Sequence, residues 1–299
     1  MVARPALAVA RAPELTGILL TLVAMGMFGT MDGLSKALVQ SYPPQLVLWL
    51  RYLMALPLVI LALAPRHPLV AMRQTRAFKL QLLRCLFLIV ETGLVITAFK
   101  TLPLANAHSI FAVTPLVVTA LSFFFLGEQV GWRRWTAVAI GFVGVLIILR
   151  PGLMPLGRDM AFIVVAMLLY ATYMVLTRLV ARVDAADTSY LLQSILMVLM
   201  LSLMGPFFLT PIALRHIPLL VLLGVLGAAG HYFLVQALAL APAVVVQPFT
   251  YTLLLWAVGI GYLFFGDLPD VWTGVGASLV VGAGLYAAWR EHRRRAIPA

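Results

Sequence analysis

Ten stretches of mostly apolar sequence follow one another along this chain, and that feature constrains the fold more than any other. At 1.5 Å of rise per residue, about 20 apolar residues in a helix cross a hydrocarbon layer about 30 Å thick. The stretches run over 15–38, 44–64, 79–99, 103–126, 131–149, 159–180, 188–209, 216–240, 243–265 and 271–290. Pro43-Pro44, Pro65, Pro103, Pro151-Gly152, Pro211, Pro242 and Pro269 fall at or near the junctions, where a missing N–H is tolerated. Of 299 residues, 63% are hydrophobic and 10% charged. No soluble packing hides that much apolar surface, so an ordinary soluble enzyme is excluded. The expected fold class is an all-α membrane protein with ten transmembrane helices.

The basic residues set the orientation. With the N-terminus inside, the cytoplasmic segments hold Arg4, Arg11, Arg66, Arg73, Arg76, Lys79, Arg133, Arg134, Arg178, Arg182, Arg290, Arg293, Arg294 and Arg295. The opposite loops hold only Lys100, Arg150, Arg158 and Arg215. Positive charge near helix ends stays cytoplasmic, which predicts both termini inside. The net charge of +11 is then mostly topology. A nucleic-acid partner is not expected, because the charges do not share one face of a folded domain. The lipid bilayer is the expected partner surface, and the Arg-rich tail should meet anionic headgroups. A long first helix without a clear cleavage site predicts an uncleaved span, and a bacterial inner membrane is the expected destination. The single cysteine, Cys85, permits neither an intrachain disulfide nor a cysteine-based zinc site.

The second half of the chain repeats the first. "AFKTLPLANA" at 98–107 aligns with "ALALAPAVVV" at 237–246, and "SFFFLGE" at 122–128 with "GYLFFGD" at 261–267, both at an offset of 139. "FGTMDGLSKAL" at 28–38 aligns with "YATYMVLTRLV" at 170–180, pairing Phe28 with Tyr170, Ser35 with Thr177 and Lys36 with Arg178. Five helices per copy is an odd number, so the copies must enter the membrane from opposite sides. The expected layout is a cytoplasmic segment 1–14, repeats 15–152 and 153–290, and a basic tail 291–299. In inverted-repeat transporters the substrate site lies near the midplane between the repeats.

The stretch "FKTLPLANAHSIFAVTPLVVTALSFFFLGEQVGWRRWTAVAIGFVGVLIILRPG" at 99–152, with "MDGLSKAL" at 31–38 and "LRY" at 50–52, resembles the drug/metabolite transporter superfamily and its paired EamA domain. The resemblance covers residues 15–149 and 159–290. It implies a ten-helix inner-membrane transporter with a central cavity, often an exporter of amino acids or related metabolites. Asp267 stands where the first repeat has Glu128, a departure confined to a loop.

Ionisable residues inside a span cost roughly 2.5–3.5 kcal/mol on insertion scales and so mark candidate sites. Asp32 and Lys36, one turn apart on the first helix, share a depth with Arg51 on the second. They form either a structural ion cluster that staples the first two helices, or an outer gate or carboxylate site. Glu91 on the third helix and His231 on the eighth both fall near the bilayer centre, material for a proton relay or a substrate ammonium site, with simple hydrogen bonding to neighbours as the plain alternative. Arg84, two turns from Glu91, is expected to snorkel to the inner surface. Asn106 and His108 lie in the outer half of the fourth helix, and the repeat pairs His108 with Gln247. Tyr170, Tyr173 and Tyr251 lie too deep for an interfacial belt, and with Trp49, Tyr232 and Trp256 they are candidates for the cavity wall or for packing between helices. Glycines at 26, 29 and 33, at 224, 227 and 230, and at 274, 276, 282 and 284 allow close helix approach or hinging.

No phosphate-binding loop, nucleophile elbow or zinc helix is present, so no cofactor, ATP hydrolysis or intramembrane enzyme is expected. The leading expectation is a secondary exporter of amino acids, aromatic or hydrophobic ones favoured, working by alternating access. A carrier of another organic solute, such as a nucleotide-derived metabolite, sugar derivative or cationic drug, is the alternative in the same class. A channel or scaffold is the alternative outside it. Two-repeat carriers can work as monomers.

Overall fold

The computed structural model describes residues 6–63, 75–127, 131–150 and 157–295, with backbone only at 6–12, 186, 243–244 and 291–295. Arg4, Arg66, Arg73, Glu128, Pro65 and Pro151-Gly152 lie outside the described residues. The described chain is helical: α1 (Ala6–Leu38), α2 (Pro44–Leu63), α3 (Phe78–Ala98), α4 in two pieces (Leu104–Phe111 and Thr114–Leu126), α5 (Trp132–Leu149), α6 (Arg158–Val180), α7 (Ala186–Ser202), α8 (Ile217–Leu240), α9 in two pieces (Ala243–Thr250 and Thr252–Phe265) and α10 (Val271–Arg295).

Among the described residues nine helices are long and apolar enough to cross a membrane, and the apolar part of α7, Asp187–Ser202, is shorter. The sequence reading carried this span to residue 209. The chain instead turns at Gly205–Phe208 into a 3-10 segment, with Pro206 at its start. A side chain at Gly205 would meet the Trp49 ring 2.4 Å away, so only glycine fits beneath that indole. Within an apolar run, this Gly-Pro stop left no break in hydropathy to read.

The breaks in α4 and α9 occur at equivalent places, next to Ala112 and at Tyr251, 139 residues apart. In α4, Pro115 lacks the N–H that would bond the Phe111 carbonyl, and its ring crowds that carbonyl. In α9, Pro248 stands inside the first piece and its missing N–H falls at the Val244 carbonyl, while at the break the Thr250 and Thr252 hydroxyls donate to the carbonyls of Gln247 and Phe249 at 2.7 Å. The far ends of both helices close on a glycine in the left-handed region, Gly127 and Gly266, each with φ 68°. That explains the glycine in both "FLGE" and "FFGD".

Helix contacts follow a rule. α1 packs on α8 as α6 packs on α3, α2 on α8 as α7 on α3, and α1 on α9 as α6 on α4; α5 pairs with α10, and α2 with α7. Adding five to every helix number returns the same set. The α5–α10 pair touches backbone to backbone: a Cβ at Gly276 would lie 2.5 Å from the Gly144 carbonyl oxygen, and one at Gly144 would lie 2.7 Å from that of Gly276. On α1, Gly29 receives the Trp256 side chain of α9.

Candidate substrate cavity

Between α1, α2, α3, α4, α6, α7, α8 and α9 lies a cavity of about 900 Å³. Its wall is paired across the repeat. Phe28 and Tyr170, Met31 and Tyr173, and Arg51 and Gln193 all face it, each pair 142 residues apart. Thr92 and His231, His108 and Gln247, and Ala112 and Tyr251 also face it, each pair 139 apart. The pairing fails at one end. Arg178 and Arg134 line the cavity, whereas Lys36, the counterpart of Arg178, is excluded from it. The cavity therefore opens toward the Arg134–Arg178 end and is closed toward Lys36.

The closed end is built from two ion contacts. Lys36 Nζ lies 2.5 Å from Asp267 Oδ2, donates to the Leu102 carbonyl at 2.8 Å, and sits 5.0 Å from the Phe265 ring centre. One turn inward, His108 Nε2 approaches Asp32 Oδ2 to 3.1 Å. That approach is not aligned as a hydrogen bond, so the two groups meet as neighbouring charges when the imidazole is protonated. Asp32, Lys36 and Arg51 thus do not form the shared cluster expected from their common depth. Asp32 and Lys36 each take a partner on another helix, and Arg51 turns to the cavity, over the Tyr52 ring at 5.5 Å.

Glu91 is 7% exposed and accepts a 2.8 Å hydrogen bond from the Thr92 hydroxyl. Across the cavity, His231 Nδ1 lies 2.8 Å from the Gly227 carbonyl. A carbonyl can only accept, so Nδ1 carries a proton, and in the neutral ring Nε2 is left as an acceptor. The imidazole meets Phe28 edge-on at 4.8 Å and stacks with Tyr190 at 6.0 Å. A second aromatic wall runs from Phe111 to Tyr170 at 6.0 Å and on to Tyr173 at 5.8 Å. Tyr173 donates to Gln193 Oε1 at 3.1 Å. Tyr251 enters a notch at Gly284, where any Cβ would lie 1.7 Å from the phenol oxygen.

Some expected residues stand elsewhere. Asn106 is off the cavity wall, with its Oδ1 buried and unbonded. It is two residues from His108, about 200° around a helix, so only one of the two can face a given side. Trp49 donates to Ser202 Oγ at 2.9 Å, Tyr232 packs on Phe233, and Trp256 covers Gly26 and Gly29; none reaches the cavity. Arg84 does not snorkel. It is 2% exposed and donates to the Ser189 carbonyl at 2.8 Å and hydroxyl at 2.9 Å. Gln81 joins the same network through Ser189 and Asp184, and Thr75 bonds Asp184. Fixed acceptors on α7 make burial cheaper for this guanidinium than stretching to the interface.

Tyr52, Tyr190 and Gln193 were missed because α2 and α7 read as plain apolar runs. The signal was the repeat: Gln193 stands 142 residues after Arg51, and Ser194 after Tyr52. Among the described residues no cluster of His, Cys, Asp and Glu could hold a metal ion.

The sequence matches the model of the EamA-like transporter family twice, over residues 15–150 and 158–288. A riboflavin transporter of Rhizobium johnstonii is 32% identical over 209 residues, covering 68% of each chain. An S-adenosylmethionine uptake transporter of Rickettsia bellii is 28% identical over 64% of this chain and 66% of its own length. A pseudopaline exporter of Pseudomonas aeruginosa is 25% identical over 90% of this chain and 94% of its own. A solved crystal structure superposes with a TM-score of 0.63 at 18% identity, covering 93% of this chain and 98% of that one, which is a likeness of fold.

Proposed function

This chain belongs to the EamA-like transporter family of multi-pass membrane proteins, and from that premise we propose that it is a secondary carrier of an organic metabolite with an aromatic or heteroaromatic body larger than a single amino acid. The observation that carries the mechanism is the paired wall with an unpaired mouth. A site lined by equivalent residues of two copies can be reached from either end by exchanging the conformations of the copies, which is alternating access. An odd number of helices per copy supports an inverted arrangement of ten helices with both termini on one side. Under the charge rule that side is the cytoplasm, so this conformation faces inward, in a bacterial inner membrane.

The helix contacts support moving bodies that mix the repeats. α1, α2, α8 and α9 pack together, as do α3, α4, α6 and α7. We infer that rocking occurs between these groups rather than between the sequence halves.

The substrate class rests on the wall. A cavity of about 900 Å³ lies at the upper end of the usual range for organic ligands, and a single amino acid fills only part of it. The two aromatic walls suit a planar ring system. The three relatives named above are described as carrying riboflavin, S-adenosylmethionine and pseudopaline, each larger than one amino acid, so amino-acid export gives way here to the broader reading. Glu91, His231, His108, Gln247, Tyr173 and Tyr251 are the proposed substrate-facing residues.

Counterflow in proteoliposomes tests this reading. Vesicles loaded with unlabelled riboflavin, S-adenosylmethionine, tryptophan or an unrelated sugar are assayed for entry of the labelled compound. Trans-stimulation by a heteroaromatic metabolite is expected. Saturable exchange confined to single amino acids would restore the exporter reading, and non-saturable entry of all solutes would indicate a channel.

A further inference from the structure

Arg51 is a guanidinium on the cavity wall that no described carboxylate contacts directly, although Glu91 shares the wall with it. It is 8% exposed and faces the cavity, yet no described carboxylate lies within ion-pair distance, and its recorded contact is the Tyr52 ring. Of the two carboxylates on the same wall, Asp32 stands beside His108 and Glu91 accepts from the Thr92 hydroxyl. Gly227 of α8 lies beside the guanidinium, a Cβ there standing 3.6 Å from Arg51 Nε, an ordinary van der Waals contact. A buried cation without a partner is costly in a membrane, and such residues ordinarily pair. The repeat sharpens the point: Arg51's counterpart is the neutral Gln193, and Glu91's is Gly230, so the charges belong to one copy only.

We propose that Arg51 is the anchor for a carboxylate carried by the substrate, held by the planar guanidinium fork, while the ring system of the substrate lies along the Tyr170–Tyr173 or Tyr190–His231 wall. This deepens the carrier reading and rests on it. The geometry favours a single negative charge. One guanidinium balances one negative charge, whereas a doubly charged phosphate would leave a charge over on a wall that also holds Glu91 and Asp32. Arg rather than Lys suits the task, because its five donors match the two oxygens of a carboxylate. His231 Nε2, an acceptor when neutral, stands on the helix turn after Gly227 and would receive a donor group of the same substrate.

The test is equilibrium binding to the purified full chain in nanodiscs, using matched pairs: S-adenosylhomocysteine against its methyl ester, tryptophan against tryptophanamide, and adenosine monophosphate against adenosine. Wild-type protein is expected to prefer each free carboxylate over its ester or amide by roughly ten- to a hundredfold, the range of a charge-assisted hydrogen bond. Arg51→Gln should abolish the preference, acid and ester then binding equally, and Arg51→Lys should retain part of it. If Arg51→Gln does not assemble, the wild-type pairs and Arg51→Lys decide the matter. Equal binding of acid and ester by wild type overturns the assignment and leaves the carrier reading intact. Tighter binding of the monophosphate than of the carboxylates also overturns it. Absence of binding by every probe overturns both this assignment and the substrate class on which it rests.

Discussion

The two ends of the molecule fill equivalent positions with opposite chemistry. Where α2 and α8 meet near the closed end, Tyr42, Val47, Leu220 and Leu223 are buried and mostly apolar. Their counterparts on α7 and α3, and in the turn before α7, are Asp184, Ser189, Gln81 and Arg84, joined in one hydrogen-bond network. Apolar contact tolerates imperfect fit and loses stability in proportion to area. A buried polar network is rigid when complete and costly when one member is missing. The repeat thus preserves where side chains go, and not what holds them there.

Breaking the polar end should have the largest effect. Arg84→Ala leaves the Ser189 carbonyl and the Ser189 and Thr177 hydroxyls short of a donor in a dry site, so a loss of about 3 kcal/mol is expected, the upper end of the range for unsatisfied buried groups. Equilibrium unfolding in mixed micelles measures it. A double change, Gln81→Leu with Arg84→Leu, imitates the other end and should be less harmful than Arg84→Ala. If it is worse, the ends are not exchangeable. Next comes overpacking the cavity wall: Gly284→Ala displaces the Tyr251 ring, with a cost of about 1–3 kcal/mol and a loss of counterflow that exceeds the loss of folded protein.

The closed end offers a third contrast. Lys36→Met removes the tie between α1, the loop before α4 and the end of α9. In a Cys85→Ser background with a single cysteine at Ala107, an impermeant thiol reagent added from the Lys36 side should react faster in the Lys36→Met protein than in its Lys36 parent. Equal rates would mean that apolar packing alone seals that end.

The smallest effect concerns the Arg150–Asp270 pair between α5 and α10. Partial burial pushes the Asp270 carboxyl up, but the Thr273 backbone N–H and the Arg150 guanidinium outweigh it and hold the group below its usual range. A lowered folded-state value stabilises the fold above the unfolded carboxyl's pKa, and that contribution disappears as pH falls through the folded value. Asp270 is 45% exposed, so at most about 1 kcal/mol is involved. Asp270→Asn should flatten the acid side of a melting-temperature profile by that amount.

Much of this was legible in the sequence because lipid is an unforgiving solvent. Hydropathy and proline placement located the helices, and helix depth brought Glu91, His231 and His108 to one cavity. What it could not reveal depended on helical phase and on distant partners. Phase sends Asn106 away from the wall that His108 faces. Lys36 finds Asp267 across 231 positions, although the repeat had already linked Lys36 to Arg178 and Asp267 to Glu128. Arg84 read as a snorkelling charge because its acceptors on Ser189 are a backbone carbonyl and a hydroxyl, neither conspicuous in an apolar run.

The interleaving of the helices also has a consequence for synthesis. The main neighbour of α1 is α8, and that of α3 is α6. At translation rates of roughly 5–20 residues per second, α1 enters the bilayer about ten to forty seconds before α8 has been made. For most of that interval Arg51, Arg84 and Glu91 are in place on nascent helices whose later neighbours do not yet exist. The first five helices must therefore be kept apart from lipid, or held at the insertion site, until the second five arrive. A ribosome-stalled chain ending near residue 150 should remain crosslinkable to the insertion machinery, and one extended beyond residue 240 should be released.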